Sequence, residues 1–176
     1  MITIIEDTRQ QENKHEHVNK WFYEHNINIL RSKLPIGDYA LLSNLSVIVD
    51  TKKDVIEIAG NIMQKQEHER FRNELIKAKE NGIKLYILIE DDYIFNIDGL
   101  KYYKMPTYKS NQYKKINGIN ILVKKKGEPI ANFKPEILAK CMKTMEQKYG
   151  CSFKFAKKEN IAPMILKLLG VDINAK

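Results

Sequence analysis

Cysteine is scarce in this 176-residue sequence: only Cys141 and Cys151 occur, and they do not form a C-x-x-C pair. A disulfide framework is therefore not indicated, and a reduced, cytoplasmic setting fits the cysteine content. No apolar run approaches the roughly 20 residues of a membrane-spanning helix, so we expect no membrane partner. The first residues turn acidic at Glu6 and Asp7 without a preceding basic segment, which argues against an export signal.

Internal repeats and low-complexity linkers are also missing from the sequence. A chain of 176 residues can bury a stable hydrophobic core without disulfide bonds or structural metal ions, so we expect a single domain over residues 1–176. Residues 92–130 lose the regular hydrophobic rhythm of the flanking segments, and we expect them to form an insertion that is rich in lysine and tyrosine.

Arginine is scarce as well, because only four of the 30 basic residues are arginine. The formal net charge of +8 favours a polyanionic partner. A guanidinium offers phosphate a planar fork that an ammonium cannot copy, which makes each arginine a candidate contact. Arg70 and Arg72 are therefore candidate nucleic-acid contacts, and the nearby His68 is a further candidate, with an ordinary surface histidine as the alternative. Arg9, beside Asp7, is another, although an ordinary ion pair is an equal alternative.

Lysines crowd the predicted insertion and alternate with tyrosines. Amines beside aromatic rings suit a surface that follows a nucleic-acid strand, with amines on phosphates and rings on bases. A solvated, lysine-rich loop explains the same pattern equally well. The candidate nucleic-acid contacts are Lys53 and, in the insertion, Lys124, Lys125 and Lys126.

Hydrophobic periodicity predicts strands that alternate with helices along the chain. Asp98-Gly99 and Asn117-Gly118 are predicted hairpin turns. Such mixed elements predict an α/β fold, an α/β/α sandwich around a central mixed sheet. The predicted strands cover residues 2–6, 29–34, 39–42, 47–52, 84–90 and 151–156. The predicted helices cover 12–25, 55–78 with a break near 64–67, 135–149, and a last segment capped by Asn160.

Asp38 and the segment Val49-Asp50-Thr51-Lys52 are the most informative part of the sequence. Asp50 and Lys52 are two residues apart on a predicted buried strand, so they point to the same face. Mg²⁺ takes one or two protein carboxylates and completes its shell with water and phosphate oxygens. A neighbouring lysine can position a water or neutralise charge on a phosphorane. The pattern predicts the metal site of a nuclease; a salt-bridged strand end is the alternative.

The register of the hairpin before this strand tests the prediction. If Asn44-Leu45 closed a regular two-residue hairpin, Asp38 would lie opposite Thr51, on the wrong face for Asp50 and Lys52. Convergence therefore requires a bulge or an irregular loop, and we predict one there. Gly37 can supply unusual backbone angles for it.

Three motifs in order resemble the nuclease domain of the XPF-type structure-specific endonucleases, within the restriction-endonuclease-like, PD-(D/E)xK superfamily. The family's opening D-x-R-E corresponds to Asp7-Thr8-Arg9-Gln10, and its G-D to Gly37-Asp38. Its E-R-K signature corresponds to Asp50-Thr51-Lys52, followed by an acid for which Asp54 and Glu57 are candidates. Gln10, Thr51 and Asp50 depart from the family pattern.

The resemblance implies a restriction-endonuclease-like fold and an Mg²⁺-dependent DNA endonuclease, for which Mn²⁺ can substitute. It further implies a homodimer in many members, and branched or structured DNA in replication, recombination or repair as substrate. The compact form without a helix-hairpin-helix tail resembles bacterial and phage members, for which we expect a cytoplasmic location and no other small-molecule cofactor.

The resemblance also implies a role for each residue of the motifs. Asp38 and Asp50 would hold the metal ion, with the backbone carbonyl of Thr51 as a third ligand. The remaining implied roles are orientation of the attacking water by Lys52, metal or water contacts by Asp7, and phosphate contacts by Arg9 and Arg70.

Two other hypotheses remain open at this point. A non-catalytic nucleic-acid-binding module on a degenerate nuclease fold would explain the Gln10 and Thr51 departures, but such modules usually lose their metal carboxylates first. A zinc protein would have to use the histidines, and no cysteine pair supports it. The histidines are His15, His17, His25 and His68.

Overall fold

A computed structural model of the chain describes residues 2–9 and 16–172. The described residues form eight strands and five α-helices, with two short 3-10 helices at Ile97–Tyr102 and Lys158–Asn160. The strands are β1 (Thr3–Glu6), β2 (Asn28–Arg31), β3 (Tyr39–Leu41), β4 (Asn44–Lys52), β5 (Lys84–Glu90), β6 (Gln112–Ile116), β7 (Ile119–Lys124) and β8 (Ser152–Ala156). The helices are α1 (Glu16–Glu24), α2 (Val55–Met63), α3 (Lys65–Glu80), α4 (Pro135–Tyr149) and α5 (Ile161–Leu168).

Six of the strands form one mixed sheet in the order β2-β1-β3-β4-β5-β8. β3 is antiparallel to both β1 and β4, whereas β2 with β1, β5 with β4 and β8 with β5 are parallel pairs. Helices α2, α3 and α4 supply the apolar residues on one face, and α1 and α5 those on the other. The predicted α/β/α sandwich around a central mixed sheet is confirmed.

Strand β4 shows how the alternation of side chains builds both layers of the core. Ile48 packs into the cluster formed with α2, α3 and α4, and Val49 packs into the cluster formed with α1 and α5. Because successive residues of a strand point to opposite faces, Asp50 and Lys52 continue the row of Ile48. They therefore lie at the end of β4 on the side covered by α2, α3 and α4.

The predicted irregularity between β3 and β4 is confirmed. Tyr39 pairs with Val49 and Ala40 with Ile48, but Leu41 pairs with Asn44, so the register shifts between Ala40 and Leu41. The shift lies in the hairpin end of β3, three residues beyond Gly37. Extending the Tyr39–Val49 register by one residue sets Asp38 opposite Asp50, on one face of the sheet.

Gly37 holds the chain where it enters β3. Its φ is +62°, and a Cβ built on it would lie 2.6 Å from Ile48 Cγ2 and 3.3 Å from the Val49 carbonyl oxygen. The next residue, Asp38, donates its backbone N–H to that same carbonyl at 2.9 Å. A side chain at position 37 would therefore push apart the two strands that carry Asp38 and Asp50.

Several predicted boundaries agree with the structure, and one local prediction is wrong. Asn117-Gly118 forms the predicted hairpin turn, with φ of +49° and +83°, and helicity breaks between Met63 and Lys65 as expected. Asp98-Gly99 instead lies inside the 3-10 helix, because the Asn96 side chain accepts a hydrogen bond from Gly99 N and caps a helical turn. Asn160 is the N-cap residue of α5, as predicted, but its side chain makes no capping hydrogen bond.

Helix α1 begins at Glu16, and the start predicted for it near residue 12 falls outside the described residues, as do Gln10 and His15. None of the helices in residues 2–9 and 16–172 combines the length and the apolar character needed to cross a bilayer.

We predict that Gly37→Ala destabilises the protein more than Gly82→Ala does. Both glycines have positive φ, +62° and +64°, but a Cβ at Gly82 would meet nothing within 4 Å. Gly82→Ala thus measures the left-handed conformation alone, about 1–2 kcal/mol, and Gly37→Ala adds the clash with Ile48. Urea unfolding of both variants measures the difference in free energy of unfolding, and equal losses would contradict the close approach at Gly37.

Candidate active site

A polar cavity of about 460 Å³ lies where β1, β3 and β4 end on the side of α2 and α3. The four residues predicted to be catalytic, Asp7, Asp38, Asp50 and Lys52, all line it. The remaining lining residues are Arg9, Gly37, Thr51, Glu57, Arg70 and Glu74. The three motifs, separated by 26 and 11 residues in the sequence, therefore meet in one place.

Thr51 orients the carboxylate of Asp38. The Thr51 backbone N–H and hydroxyl both donate to Asp38 Oδ2, at 2.7 and 2.5 Å. These hydrogen bonds connect the start of β3 to the end of β4, the neighbouring antiparallel strand. Sequence reasoning assigned only the Thr51 carbonyl a role, whereas in the structure its amide and hydroxyl fix the predicted metal-binding carboxylate of Asp38.

Asp50 is a buried carboxylate with an unsatisfied oxygen. The residue is 7% exposed, and Lys52 Nζ lies 2.7 Å from Asp50 Oδ2 as an ion pair. The angles of this contact are not those of a hydrogen bond, so Oδ2 has no hydrogen-bond partner among the described residues. The pKa of Asp50 is raised to about 7; burial is the largest cause, Lys52 opposes it, and the neighbouring Asp38 and Glu74 carboxylates add to it.

Lys52 places a fixed positive charge in the cavity. Burial lowers the pKa of its ammonium, but the Asp50 and Asp38 carboxylates raise it more, so the net shift is upward and Lys52 stays protonated. Its Nζ lies 5.8 Å from the centre of the Phe71 ring of α3, within the range of a cation–π contact. Both neighbours restrict the ammonium to one position.

Asp7 anchors Arg9. Asp7 is 1% exposed, and its Oδ1 accepts from Arg9 N and Nε at 2.7 and 2.8 Å, while its Oδ2 accepts from Arg9 Nη2 and Leu34 N at 2.9 and 2.6 Å. Burial raises the pKa of Asp7, but these hydrogen bonds lower it more, so the carboxylate stays ionised. Arg9 Nη2 also donates to the Leu34 carbonyl oxygen at 3.0 Å, and the Arg9 side chain remains 53% exposed at the cavity.

Helix α3 contributes Glu74, which sequence reasoning missed. Glu74 lines the cavity together with Arg70, because residues four apart on a helix share a face. That spacing is the only signal in the sequence, and it becomes informative once the packing of α3 against β4 is known. Glu57, a candidate for the family's downstream acid, also lines the cavity, but its Oε2 accepts from Lys53 N at 2.8 Å at the start of α2.

The other predicted nucleic-acid contacts lie outside this cavity. Arg72 borders a separate surface depression with Lys79 and Tyr149, because residues two apart on a helix diverge. His68 Nδ1 lies 2.6 Å from the Ile62 carbonyl oxygen at the α2–α3 junction. The Lys53 side chain is exposed beside the cavity, and Lys124, Lys125 and Lys126 belong to the segment around β7. Their roles in DNA binding stay predictions.

The described histidines are engaged separately. His25 stacks on Trp21 with ring centroids 3.6 Å apart, and His17 lies 3.9 Å from Glu90. His68 is at the α2–α3 junction, so the structure does not bring the described histidines together.

The cavity fits a hard divalent cation that keeps most of its water. No group of three or more His, Cys, Asp or Glu side chains in the described ranges is placed to hold a metal. A cation here would have the predicted Asp38 and Asp50 pair as its side-chain ligands. Mg²⁺ needs only one or two carboxylates. The unsatisfied, buried Oδ2 of Asp50 is the donor that a cation would complete.

Comparison with known proteins agrees with this geometry. A family model described as "ERCC4 domain" matches residues 7–165. The fold is similar to "XPF from Aeropyrum pernix", with a TM-score of 0.59 and 15% identity over 95% of this chain and 63% of that chain. It is equally similar to "XPF from Aeropyrum pernix, complex with DNA", with a TM-score of 0.60 and 16% identity over 97% of this chain and 64% of that one.

At these identities the likeness to the solved structures establishes the fold alone. The chain spans just under two thirds of the length of both structures. No curated protein matches the chain.

We predict that, without divalent cations, the carboxyl group of Asp50 titrates near pH 7. The folded-state pKa of about 7 lies above the ordinary value of 3.8, so the folded protein retains a proton that the unfolded chain has lost. Its contribution to stability is therefore complete below about pH 4 and is lost as pH rises to 7. Carboxyl ¹³C NMR measures the midpoint, and Asp50→Asn should remove this part of the pH dependence of unfolding. A midpoint near 4 would contradict the burial effect.

Proposed function

The chain belongs to the ERCC4-domain family, and from that membership we propose that it is a metal-dependent endonuclease that hydrolyses DNA phosphodiesters. We further propose branched or otherwise structured DNA as its substrate, in replication, recombination or repair. The observation that carries the proposal is the convergence of Asp38, Asp50 and Lys52 in one cavity. A solved relative by fold is described in complex with DNA, which supports the choice of polymer.

Asp38 and Asp50 would hold Mg²⁺ or Mn²⁺, together with water and the substrate phosphate. When bound, the ion supplies Lewis acidity to a phosphate oxygen and a lowered pKa to a coordinated water. Thr51 fixes the Asp38 carboxylate in the cavity that Asp50 also lines, so Asp38 needs little rearrangement on binding. The Asp50 carboxylate is costly to ionise in its buried position, and a cation would add a second positive charge beside Lys52 to the oxygen that has no hydrogen bond.

Lys52 supplies the positive charge that the reaction needs near the scissile phosphate. Its ammonium is fixed between Asp50 and the Phe71 ring and stays protonated. An ammonium held in this way can orient the attacking water and neutralise charge that develops on the phosphorane oxygens. Preorganised charge of this kind costs no rearrangement during the reaction.

Arg9 and Arg70 would bind phosphates at the rim of the cavity. Asp7 then acts as the positioning residue for Arg9, since all four of its hydrogen bonds serve to fix that side chain and the Leu34 backbone. Arg70 pairs with Glu67 at 2.7 Å, an exposed pair that a phosphate can replace at little cost. Arg70 occupies the cavity in place of the arginine that the family carries at the position of Thr51.

A non-catalytic DNA-binding module on the same fold is the alternative. It would bind DNA through the same basic residues but would require no divalent cation. Metal-dependent cutting therefore separates the two functions.

We predict that the protein cuts labelled branched DNA in the presence of Mg²⁺ but not of EDTA, and that Asp50→Asn lowers the rate about 10²–10³-fold, an order of magnitude typical for loss of one preorganised polar group. Linear and single-stranded DNA in the same assay give the substrate preference. Asp92→Asn is the matched control, because Asp92 is an exposed carboxylate outside the cavity. Binding of DNA without cutting by either the wild type or the variant would leave only the binding module.

We also predict that Glu74→Gln raises the Mg²⁺ concentration for half-maximal cutting about tenfold, as loss of a residue behind the direct metal ligands does in other sites. Glu74 acts on Asp50 through its charge, so DNA affinity measured in EDTA should stay unchanged. The control is Glu69→Gln, an exposed carboxylate on the same helix that does not line the cavity. An equal shift in both variants would assign the effect to the net charge of α3 rather than to Glu74.

A further inference from the structure

A two-stranded β-ribbon, residues 106–130, projects from the sheet and contacts water on both faces. Its strands β6 and β7 pair only with each other, and every residue from Lys109 to Ile130 is exposed. The pairing continues toward the body of the protein, where Tyr108 N donates to the Glu128 carbonyl and Ile130 N to that of Pro106, each at 2.9 Å. The ribbon is therefore one continuous antiparallel unit.

The base of the ribbon is fixed to the core. Tyr103 and Phe133, which flank it, stack with ring centroids 6.1 Å apart and pack against the core of α2, α3 and α4. Leu100, in the 3-10 helix before it, is fully buried. An element with a fixed base and an exposed body holds its direction relative to the cavity.

Nearly all of the excess charge of the protein lies in and next to the ribbon. Residues 101–134 contain nine lysines and a single acid, Glu128, so this segment alone carries a formal charge of +8. The whole chain also carries +8, so the other 142 residues are balanced, with 21 basic and 21 acidic side chains. The ribbon and its flanks are therefore strongly basic, whereas the rest of the protein has no net charge.

Lysines and apolar side chains share both faces of the ribbon. The pairing places Lys114 opposite Ile121 and Ile116 opposite Ile119 on one face, and Tyr113 opposite Leu122 and Lys115 opposite Asn120 on the other. Lysines recognise phosphates wherever a duplex presents them. Apolar side chains between them can contact thymine methyl groups and sugars in a groove.

We propose that the ribbon is a second DNA-binding element, which grips the duplex that flanks the cleavage site. A two-stranded β-ribbon has the width of the major groove, about 12 Å, and its lysines can reach the phosphates on either side. A second copy of the chain is a poorer occupant, because two ribbons repel each other and the balanced remainder offers no opposing charge. That the ligand is DNA rests on the proposed function; the ribbon adds the surface that binds the DNA outside the cavity.

The test replaces Lys114, Lys115, Lys124 and Lys125 with glutamine in the Asp50→Asn protein, where DNA is bound without being cut. The matched control replaces four exposed lysines elsewhere, Lys20, Lys140, Lys154 and Lys167. The chain carries +8, Asp50→Asn adds one and the four substitutions remove four, so both variants carry the same net charge of +5. Fluorescence anisotropy with a labelled duplex, between about 50 and 200 mM salt, gives the affinity and its salt dependence.

We expect the ribbon variant to lose more than tenfold in affinity, and its log–log salt slope to fall by about 3 to 4, since each lost phosphate contact is worth about 0.9. The control should bind within twofold of the parent. Replacing the same four ribbon lysines with arginine keeps the charge and should keep the affinity, which assigns the loss to the positive charge. Urea unfolding of the glutamine variant, matching that of the parent, excludes misfolding as the cause.

Equal affinity of the ribbon variant and the control would overturn the proposal. So would sedimentation showing that the ribbon variant loses self-association while its affinity for DNA is unchanged, since the ribbon would then join two copies of the chain. Cutting by the otherwise wild-type protein is measured separately. If DNA binding depends on the ribbon but the wild-type protein does not cut, the proposed nuclease function is overturned and the ribbon proposal stands. If the protein cuts but binding does not depend on the ribbon, the ribbon proposal is overturned and the nuclease function stands.

Discussion

The register between β3 and β4 is the constraint on which the site depends. Side chains of a strand alternate between faces, so a slip of one residue would send Asp38 to the opposite layer from Asp50 and Lys52. The register shift between Ala40 and Leu41 sets the pairing, and Gly37 lets the chain enter β3 against Ile48. The Thr51 bonds to Asp38 then fix the pair of carboxylates. The position of the Asp38 carboxylate is thus set by backbone geometry within three residues of it.

The two fully enclosed carboxylates of the cavity are treated in opposite ways. Asp7 receives four hydrogen bonds, and its pKa is lowered. Asp50 is equally buried but keeps an oxygen without a hydrogen bond, and its pKa is raised. A satisfied carboxylate serves to position its neighbour, whereas an unsatisfied one is prepared for a ligand that has yet to arrive. This contrast separates Asp7 from Asp50 more clearly than their places in the motifs do.

Local patterns were sufficient to predict much of the fold and part of the site. Asp50 and Lys52 share a face because of the strand period alone, and the need for an irregular hairpin followed from counting residues between Asp38 and Asp50. Glu74 could not be predicted, because only the packing of α3 against β4 brings it to the cavity. The Asp98-Gly99 error has a local cause, the competing cap from Asn96. The charge of residues 101–134 was visible in the sequence, but its separation from the body on a ribbon depends on how β6 and β7 pair.

The exposed ribbon also has a consequence for the solubility of the protein. Each of its strands pairs on one side only, which leaves two open edges, and Ile119, Ile121, Leu122 and Val123 form a short β-prone run along one of them. Such an edge is a template for intermolecular strand addition and aggregation, and closely spaced lysines are a common protection against it. The ammonium groups of the ribbon therefore keep neighbouring molecules apart in solution, and a bound polyanion that neutralises them must itself cover the open edges.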